Sequence, residues 1–337
     1  MQILAEDYRD LCSRTEDIEF RQLRRGYLGM LLDLIREWWS GSLRRRLAEL
    51  EPDFVLFYNL SPLNLLLAAR RTGLAPRFGI VLHDPWKDQK FGHGLVFAIV
   101  YSFVEWLQQR IVQRCDHIIT LSEYGTHLVE RRYPQSASRV TEGRILLAKG
   151  NAPVAVKRKV VSIVGRINPS TGHATFLKYA AELRPLLPGV EFEVVSSSPT
   201  AVASDFATQA ADAAVRVEYR PLLTEVEIES AIARSICVFR LDEELTQSGV
   251  LPLCYRLGTP VIARAIPGLV QHVLEGRTGY LVHPDTSAVE LANWISNIQS
   301  QSEYFYSECR TAFMGNWSEE AFDRYYGVLR RSLEKDG

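Results

Sequence analysis

The sequence predicts an α/β protein of two similar halves, each a parallel sheet covered by helices on both faces. Three observations lead there. Short, continuously apolar runs alternate with longer helical stretches. The rhythm breaks once, over residues 146–159, and then restarts. The length of 337 residues suits two domains, at about 150 residues each.

The elements follow in order. Residues 53–58, Asp-Phe-Val-Leu-Phe-Tyr behind Pro52, form a first buried strand, with a helix over 63–71 after it. A second strand spans 77–82, a helix 95–114 and a third strand 117–121. Strands that are apolar throughout, rather than alternating, are covered on both faces. Lys149-Gly-Asn-Ala-Pro153 is turn material and Lys157-Arg-Lys159 is charged, which makes 146–159 a linker. The pattern restarts with strands at 160–164, 191–195, 215–219, 236–239 and 260–263. Helices begin near Ala174, run over 225–233 behind Thr224 as N-cap, and run over 250–257. The tail, 317–333, reads as one amphipathic helix.

Composition excludes several functions. Lys and Arg number 39 against 40 Asp and Glu, for a net charge of −1. A nucleic-acid binder held by bulk electrostatics is not expected. Five cysteines without a C-x-x-C pair suit a reducing cytoplasm rather than a disulfide framework or a zinc site. The seven histidines have no H-E-x-x-H spacing, so no metal is expected. No G-x-G-x-x-G, P-loop or G-x-S-x-G pattern occurs. The N-terminus lacks a signal-peptide pattern, and the apolar run 95–104 is far short of the roughly 20 residues of a spanning helix. A cytoplasmic location follows as an expectation. Trp86, Phe91, Phe97, Tyr101 and Trp106 suit either core packing or a helix resting on a membrane surface. Arg44-Arg45-Arg46, behind Trp38-Trp39, suits either a solvated helix face or acidic lipid.

In open parallel sheets, ligands sit beyond the carboxyl ends of the strands. After 160–164 come Gly165 and Arg166: glycine lets a backbone approach a ligand, and a guanidinium grips phosphate oxygens in pairs. After 236–239 come Arg240, Glu244, Gln247, Ser248, Gly249 and Val250, leading into a helix whose first amides suit a diphosphate. After 77–82 come His83 and Asp84, and after 117–121 come Ser122 and Glu123. Each loop taken alone also fits a plain surface turn or helix cap.

Their order along the chain is more specific. Val161-Ser-Ile-Val-Gly165-Arg166, then Ser248 through Gly258-Thr-Pro260-Val-Ile-Ala263, Pro267-Gly268-Leu269 and Glu275-Gly276-Arg-Thr278-Gly279-Tyr-Leu-Val282 resemble the donor domain of glycosyltransferase family four, the retaining group-one enzymes of GT-B fold. Leu82-His83-Asp84 and Cys115-Asp116 through Ser122-Glu123 resemble loops of that family's first domain. Asn316-Trp317 resembles the start of its crossing-back helix.

The resemblance implies two Rossmann-like domains facing across a cleft: residues 1–150 on the acceptor side, joined by a helix over 317–335, and 151–316 on the nucleotide-sugar side. It implies transfer of a sugar from a UDP- or GDP-sugar to a saccharide or lipid-linked acceptor, with retention and without a bound metal or other cofactor. Arg166 and His83 are then the expected catalytic residues. Gly165, Arg240, Glu244, Gln247, Ser248, Gly249 and Val250 bind the donor, and Asp84, Ser122 and Glu123 line the cleft. A lipid-linked acceptor implies peripheral contact at the inner face of the membrane.

The sequence departs from the family pattern. Thr171 stands where a phosphate-binding lysine is usual, and Leu245 and Leu253 stand where two glutamates are usual. Residues 1–50 carry no glycine-pair loop, so the first domain reads as abbreviated. These departures motivate a second expectation, a non-catalytic or partner-dependent subunit of the same fold.

Overall fold

A computed structural model describes residues 54–57, 77–83, 95–144, 158–167 and 170–321, with isolated helical positions at 45, 49, 324 and 327. The expected helix over 63–71, most of the linker, Asp84 and most of the tail lie outside the described residues. The chain divides into two compact units, Met1–Val81 with Phe91–Ile118, and Leu82–Lys90 with Ile119–Gly337.

A four-stranded sheet runs in the order β1 (Phe54–Phe57), β2 (Arg77–Leu82), β3 (His117–Thr120) and β4 (Val140–Glu142). Within the first unit, β1 and β2 pair in parallel. Helix α1 (Leu95–Arg114) buries Leu107, Ile111 and Val112. Phe57 stacks on Phe78 with ring centroids 5.6 Å apart. Asp116 Oδ2 accepts a hydrogen bond from the Phe78 amide at 2.9 Å, closing the turn that feeds β3.

In the second unit, helix α2 (Glu123–Arg132) follows β3 and is capped by the Ser122 hydroxyl. The six-stranded sheet, in the order β10-β9-β8-β5-β6-β7, is parallel at every pairing. Its strands are β5 (Val160–Val164), β6 (Glu191–Ser196), β7 (Arg216–Tyr219), β8 (Ser235–Arg240), β9 (Val261–Arg264) and β10 (Gly279–Val282). All five residues of β5 are buried, as a central strand covered on both faces requires.

Helices cover both faces. On one, α3 (His173–Leu183), α4 (Ser204–Asp212) and α8 (Ala288–Ser300) pack Phe176, Ala210 and Ile295 against Ile163, Phe192 and Phe239. On the other, α5 (Glu225–Ala233), α6 (Val250–Arg256) and α9 (Ser302–Asn316) pack Ile232, Tyr255 and Phe313 against Val164, Val238 and Val261. Thr224 is the N-cap of α5 and forms a full capping box with Glu227. A short helix, α7 (Pro267–Val270), follows β9.

The tail differs from its sequence pattern. Trp317 stands in a turn after α9, buried edge-on against Tyr255 and His272, so it belongs to the core of the second unit. The next helical residues start at 319, behind Ser318, whose hydroxyl accepts from the Ala321 amide. An apolar indole gains more from burial than from a place on a solvated helix face.

Candidate functional site

The carboxyl ends of β5 and β8 lie side by side in the sheet and bring together most of the donor-side residues. Gly165 leaves β5 with φ +135, a backbone state that side chains disfavour. Arg166 beside it is exposed, with no ion pair or side-chain hydrogen bond to the described residues. Arg240 ends β8 and is nearly buried. Its Nη2 lies 2.9 Å from Asp242 Oδ2, and its Nη1 donates to the Val164 carbonyl at 3.3 Å. The two arginines are therefore not equivalent: Arg240 is already neutralised, and Arg166 is open.

Asp242 was not singled out by the sequence pattern. Burial raises its carboxyl pKa, and Arg240 opposes that rise. His173, also not singled out, opens α3 at 3% exposure. Its Nδ1 lies 2.8 Å from the Thr171 hydroxyl, while its Nε2 is buried without a hydrogen-bond partner. Burial first, and the charge of Arg240 second, lower its pKa from 6.5 to about 4. The imidazole is therefore neutral near pH 7. Thr171, at the usual lysine position, supports this histidine.

The loop 241–249 is gripped along its length. Gly172, with φ +69, lies against Leu241 so closely that a Cβ there would overlap the Leu241 carbonyl. Gly268 does the same to the Leu245 carbonyl from the start of α7. The Glu243 amide donates to the Ser170 carbonyl at 2.8 Å. Leu245 and Leu253 pack against the apolar core under α5 and α6.

The other expected donor residues share this loop. Glu244 and Gln247 are half-buried, and Gln247 Oε1 is buried without a hydrogen-bond partner. The Ser248 hydroxyl is buried and accepts from the Leu251 amide at 3.2 Å, which braces the first turn of α6 from the residue before its N-cap position, Gly249. Gly249 is exposed with open space where a Cβ would stand. Val250 is half-buried against the core.

Two further loops reach this assembly through the backbone. His83, half-buried at the end of β2, belongs to the second unit, and its carbonyl accepts from Thr246 Oγ1 at 3.2 Å. The Glu123 amide donates to Gln271 Oε1 at 3.1 Å. The Glu123 side chain is exposed, with His127 Nε2 3.8 Å away. Ser122 is buried, its hydroxyl spent on the Gly125 amide. Asp84 lies outside the described residues.

Among the described residues, no cluster of three or more His, Cys, Asp or Glu is placed to hold a metal ion. Among the same residues, no helix is long and apolar enough to cross a membrane. Cys115, Cys237, Cys254 and Cys309 are buried and outside any disulfide, and burial pushes the pKa of the last three upward, away from the reactive thiolate.

Comparison with known proteins completes the description. Residues 3–141 match the family model "Glycosyltransferase Family 4", and residues 158–301 match "Glycosyl transferases group 1". The first match begins in a stretch where no motif carried the resemblance. A D-inositol 3-phosphate glycosyltransferase of Paenarthrobacter aurescens is 30% identical over 151 residues, which is 42% of this chain and 37% of that protein. HepE of Anabaena, solved in complex with UDP, superposes with a TM-score of 0.68 at 13% identity, covering 97% of this chain and 89% of that one. A sucrose-phosphate synthase of Thermosynechococcus elongatus gives 0.66 at 18% identity, covering 96% and 87%. TarM of S. aureus gives 0.60 at 14% identity, over 77% of this chain and 52% of its own. The chain thus spans about half the length of TarM, and matches a smaller share of the inositol-phosphate enzyme. The structural likenesses establish the fold as GT-B.

Proposed function

From the premise that the chain belongs to the family-four, group-one glycosyltransferases, we propose that it moves a sugar from a nucleoside-diphosphate sugar to a saccharide or lipid-linked saccharide with retention of configuration. The observation that carries this reading is the clamped loop 241–249 beside the open Arg166, at the strand ends where such a sheet takes its ligand. HepE was solved with UDP-glucose, and TarM with UDP and α-GlcNAc-glycerol. A UDP-sugar is therefore the first donor to test, with GDP-sugars beside it.

Breaking the anomeric bond builds negative charge on the departing diphosphate. Arg166 supplies a positive charge with no ion-paired carboxylate among the described residues, and Gly165 and Gly249 let the diphosphate approach the backbone. Gln247 offers a buried acceptor for a donor hydroxyl. His83 and Glu244 face the sugar end of the donor in this reading. No step calls for a metal or other cofactor. With Leu245 and Leu253 packed into the core, recognition falls to other residues of the loop than the family's two glutamates.

Two partner expectations accompany the proposal. A lipid-linked acceptor brings peripheral contact with a membrane, for which exposed Trp106, under the Arg110 guanidinium on α1, is one candidate contact. A second subunit is the other.

The test is a transfer assay across UDP- and GDP-sugars, with the anomeric configuration of the product read by NMR. Transfer with retention is the expected outcome. Folded protein that binds no nucleotide in a thermal-shift panel overturns the proposal.

A further inference from the structure

We propose that Thr246 is a positioning residue, whose hydroxyl holds the peptide of His83 in register with the donor loop during sugar transfer. This rests on the glycosyl-transfer reading above. Thr246 is 2% exposed, and its Oγ1 donates to the His83 carbonyl across 163 positions of sequence. A hydroxyl can orient a partner only if it is itself immobile. Here the peptide on its N-terminal side is pinned by Gly268, where no Cβ fits against the Leu245 carbonyl. The same loop is pinned upstream by Gly172 at Leu241 and by the Ser170 carbonyl at Glu243. Thr246 is therefore the end of a rigid chain of contacts running from the start of α7 to the end of β2.

The chemistry explains why this placement matters. The His83 carbonyl belongs to the first residue beyond β2. Its direction sets where the His83 side chain stands, because both are attached through the same backbone. A group displaced by about 1 Å from its productive position can lose up to about 100-fold in rate. A parallel link stands beyond the next strand: Gln271, just after α7, accepts from the Glu123 amide at the start of α2. Both links lie within the second compact unit. The arrangement places loops after β2 and β3 under the control of loops after β8 and β9.

The experiment uses the full chain with Thr246→Val, Thr246→Ser and His83→Ala, and the double variant His83→Ala with Thr246→Val. Valine keeps the shape and removes the hydroxyl; serine keeps the hydroxyl. Thr246→Val should lower kcat about ten-fold, with donor KM within two-fold of wild type, and Thr246→Ser should restore most of the loss. In the double variant, the valine should add nothing further, because the two residues act through one group. Wild-type kcat in Thr246→Val, equal impairment in Thr246→Ser, or additive losses overturn the proposal. A second measurement separates it from the functional reading. The imidazole resonances of His83, followed by NMR, should move in Thr246→Val and return in Thr246→Ser whether or not turnover is seen. If wild type transfers no sugar but those resonances respond, the functional reading fails while the positioning contact stands. If they do not respond, the positioning contact fails as well.

Discussion

The loops after β5 and β8 leave neighbouring strands of one sheet, yet they are built on opposite plans. The loop after β8 is held by Gly172, Gly268, the Ser170 carbonyl and the Arg240–Asp242 pair. The loop after β5 lends its far end, Ser170 and Gly172, to that grip, while its near end carries Arg166, exposed and without an ion pair among the described residues. One loop supplies a fixed shape, and the other supplies an uncommitted charge. Two arginines at adjacent strand ends thus stand in different electrostatic surroundings, and residue type alone does not distinguish them. The ion pair does.

The largest expected effect breaks the fixed loop. Asp242→Asn leaves the Arg240 guanidinium nearly buried and uncompensated. Loss of one partner from a buried pair costs about 3–5 kcal/mol; since Arg240 keeps its bond to the Val164 carbonyl, the lower end is expected. Urea denaturation measures it. Arg166→Ala in the same assay should stay within about 0.5 kcal/mol of wild type, as a substitution at an exposed, unpaired site. Equal losses at the two positions would erase the distinction.

The next effect tests the free charge. Arg166→Ala should remove about 2–4 kcal/mol of transition-state stabilisation, roughly 30- to 1,000-fold in kcat/KM. Arg166→Lys should recover part of this, because a point charge remains while the paired hydrogen bonds to phosphate are lost. Normal turnover in Arg166→Ala removes it from the role of diphosphate clamp.

A third effect reads the buried surroundings through pH. The pKa of His173 in the folded state is about 4, below its ordinary 6.5. As pH falls below 6.5, the unfolded chain takes up a proton that the folded chain refuses, so stability falls. The loss is complete near pH 4, where both states are protonated. The shift is worth about 3 kcal/mol across that window. Replacing His173 with Gln should remove its share of the pH dependence between 6.5 and 4 and leave that of His272, whose pKa burial also lowers to about 4. An unchanged slope means that this histidine does not govern it.

Much of this fold is written in local pattern. Val160–Val164 is apolar throughout and is buried throughout. Thr224 followed by Glu227 specifies a capping box, and the box forms. The candidate residues Gly165, Arg240 and 247–249 stand out in the sequence because they lie at or beyond strand ends. The contacts that organise them could not. Gly268 and Leu245 meet only because β9 lies beside β8, and no spacing in the sequence announces it. Nothing in the sequence pairs His173 with Thr171; their hydrogen bond appears only in the structure. Trp317 suited an amphipathic face, and only the packing of α6 and α9 shows why its ring turns inward. The family match starting at residue 3 lies in a stretch that no short motif carried.

The smallest effect decides what Ser248 does. Its hydroxyl has one partner among the described residues, the Leu251 amide in the first turn of α6. If the hydroxyl serves the helix alone, Ser248→Ala should cost about 1 kcal/mol of stability, the usual worth of a hydroxyl that caps a helix's first turn. Donor KM should then scarcely change. If the hydroxyl also meets the diphosphate, the same variant should raise donor KM several-fold beyond any loss of stability. Ser248→Asp separates the two roles further. A carboxylate caps a helix as well as a hydroxyl does, but it repels an anionic donor. Retained stability together with lost donor binding puts Ser248 at the diphosphate. Retained stability together with retained binding leaves it with the fixed loop, as part of the shape and not of the charge.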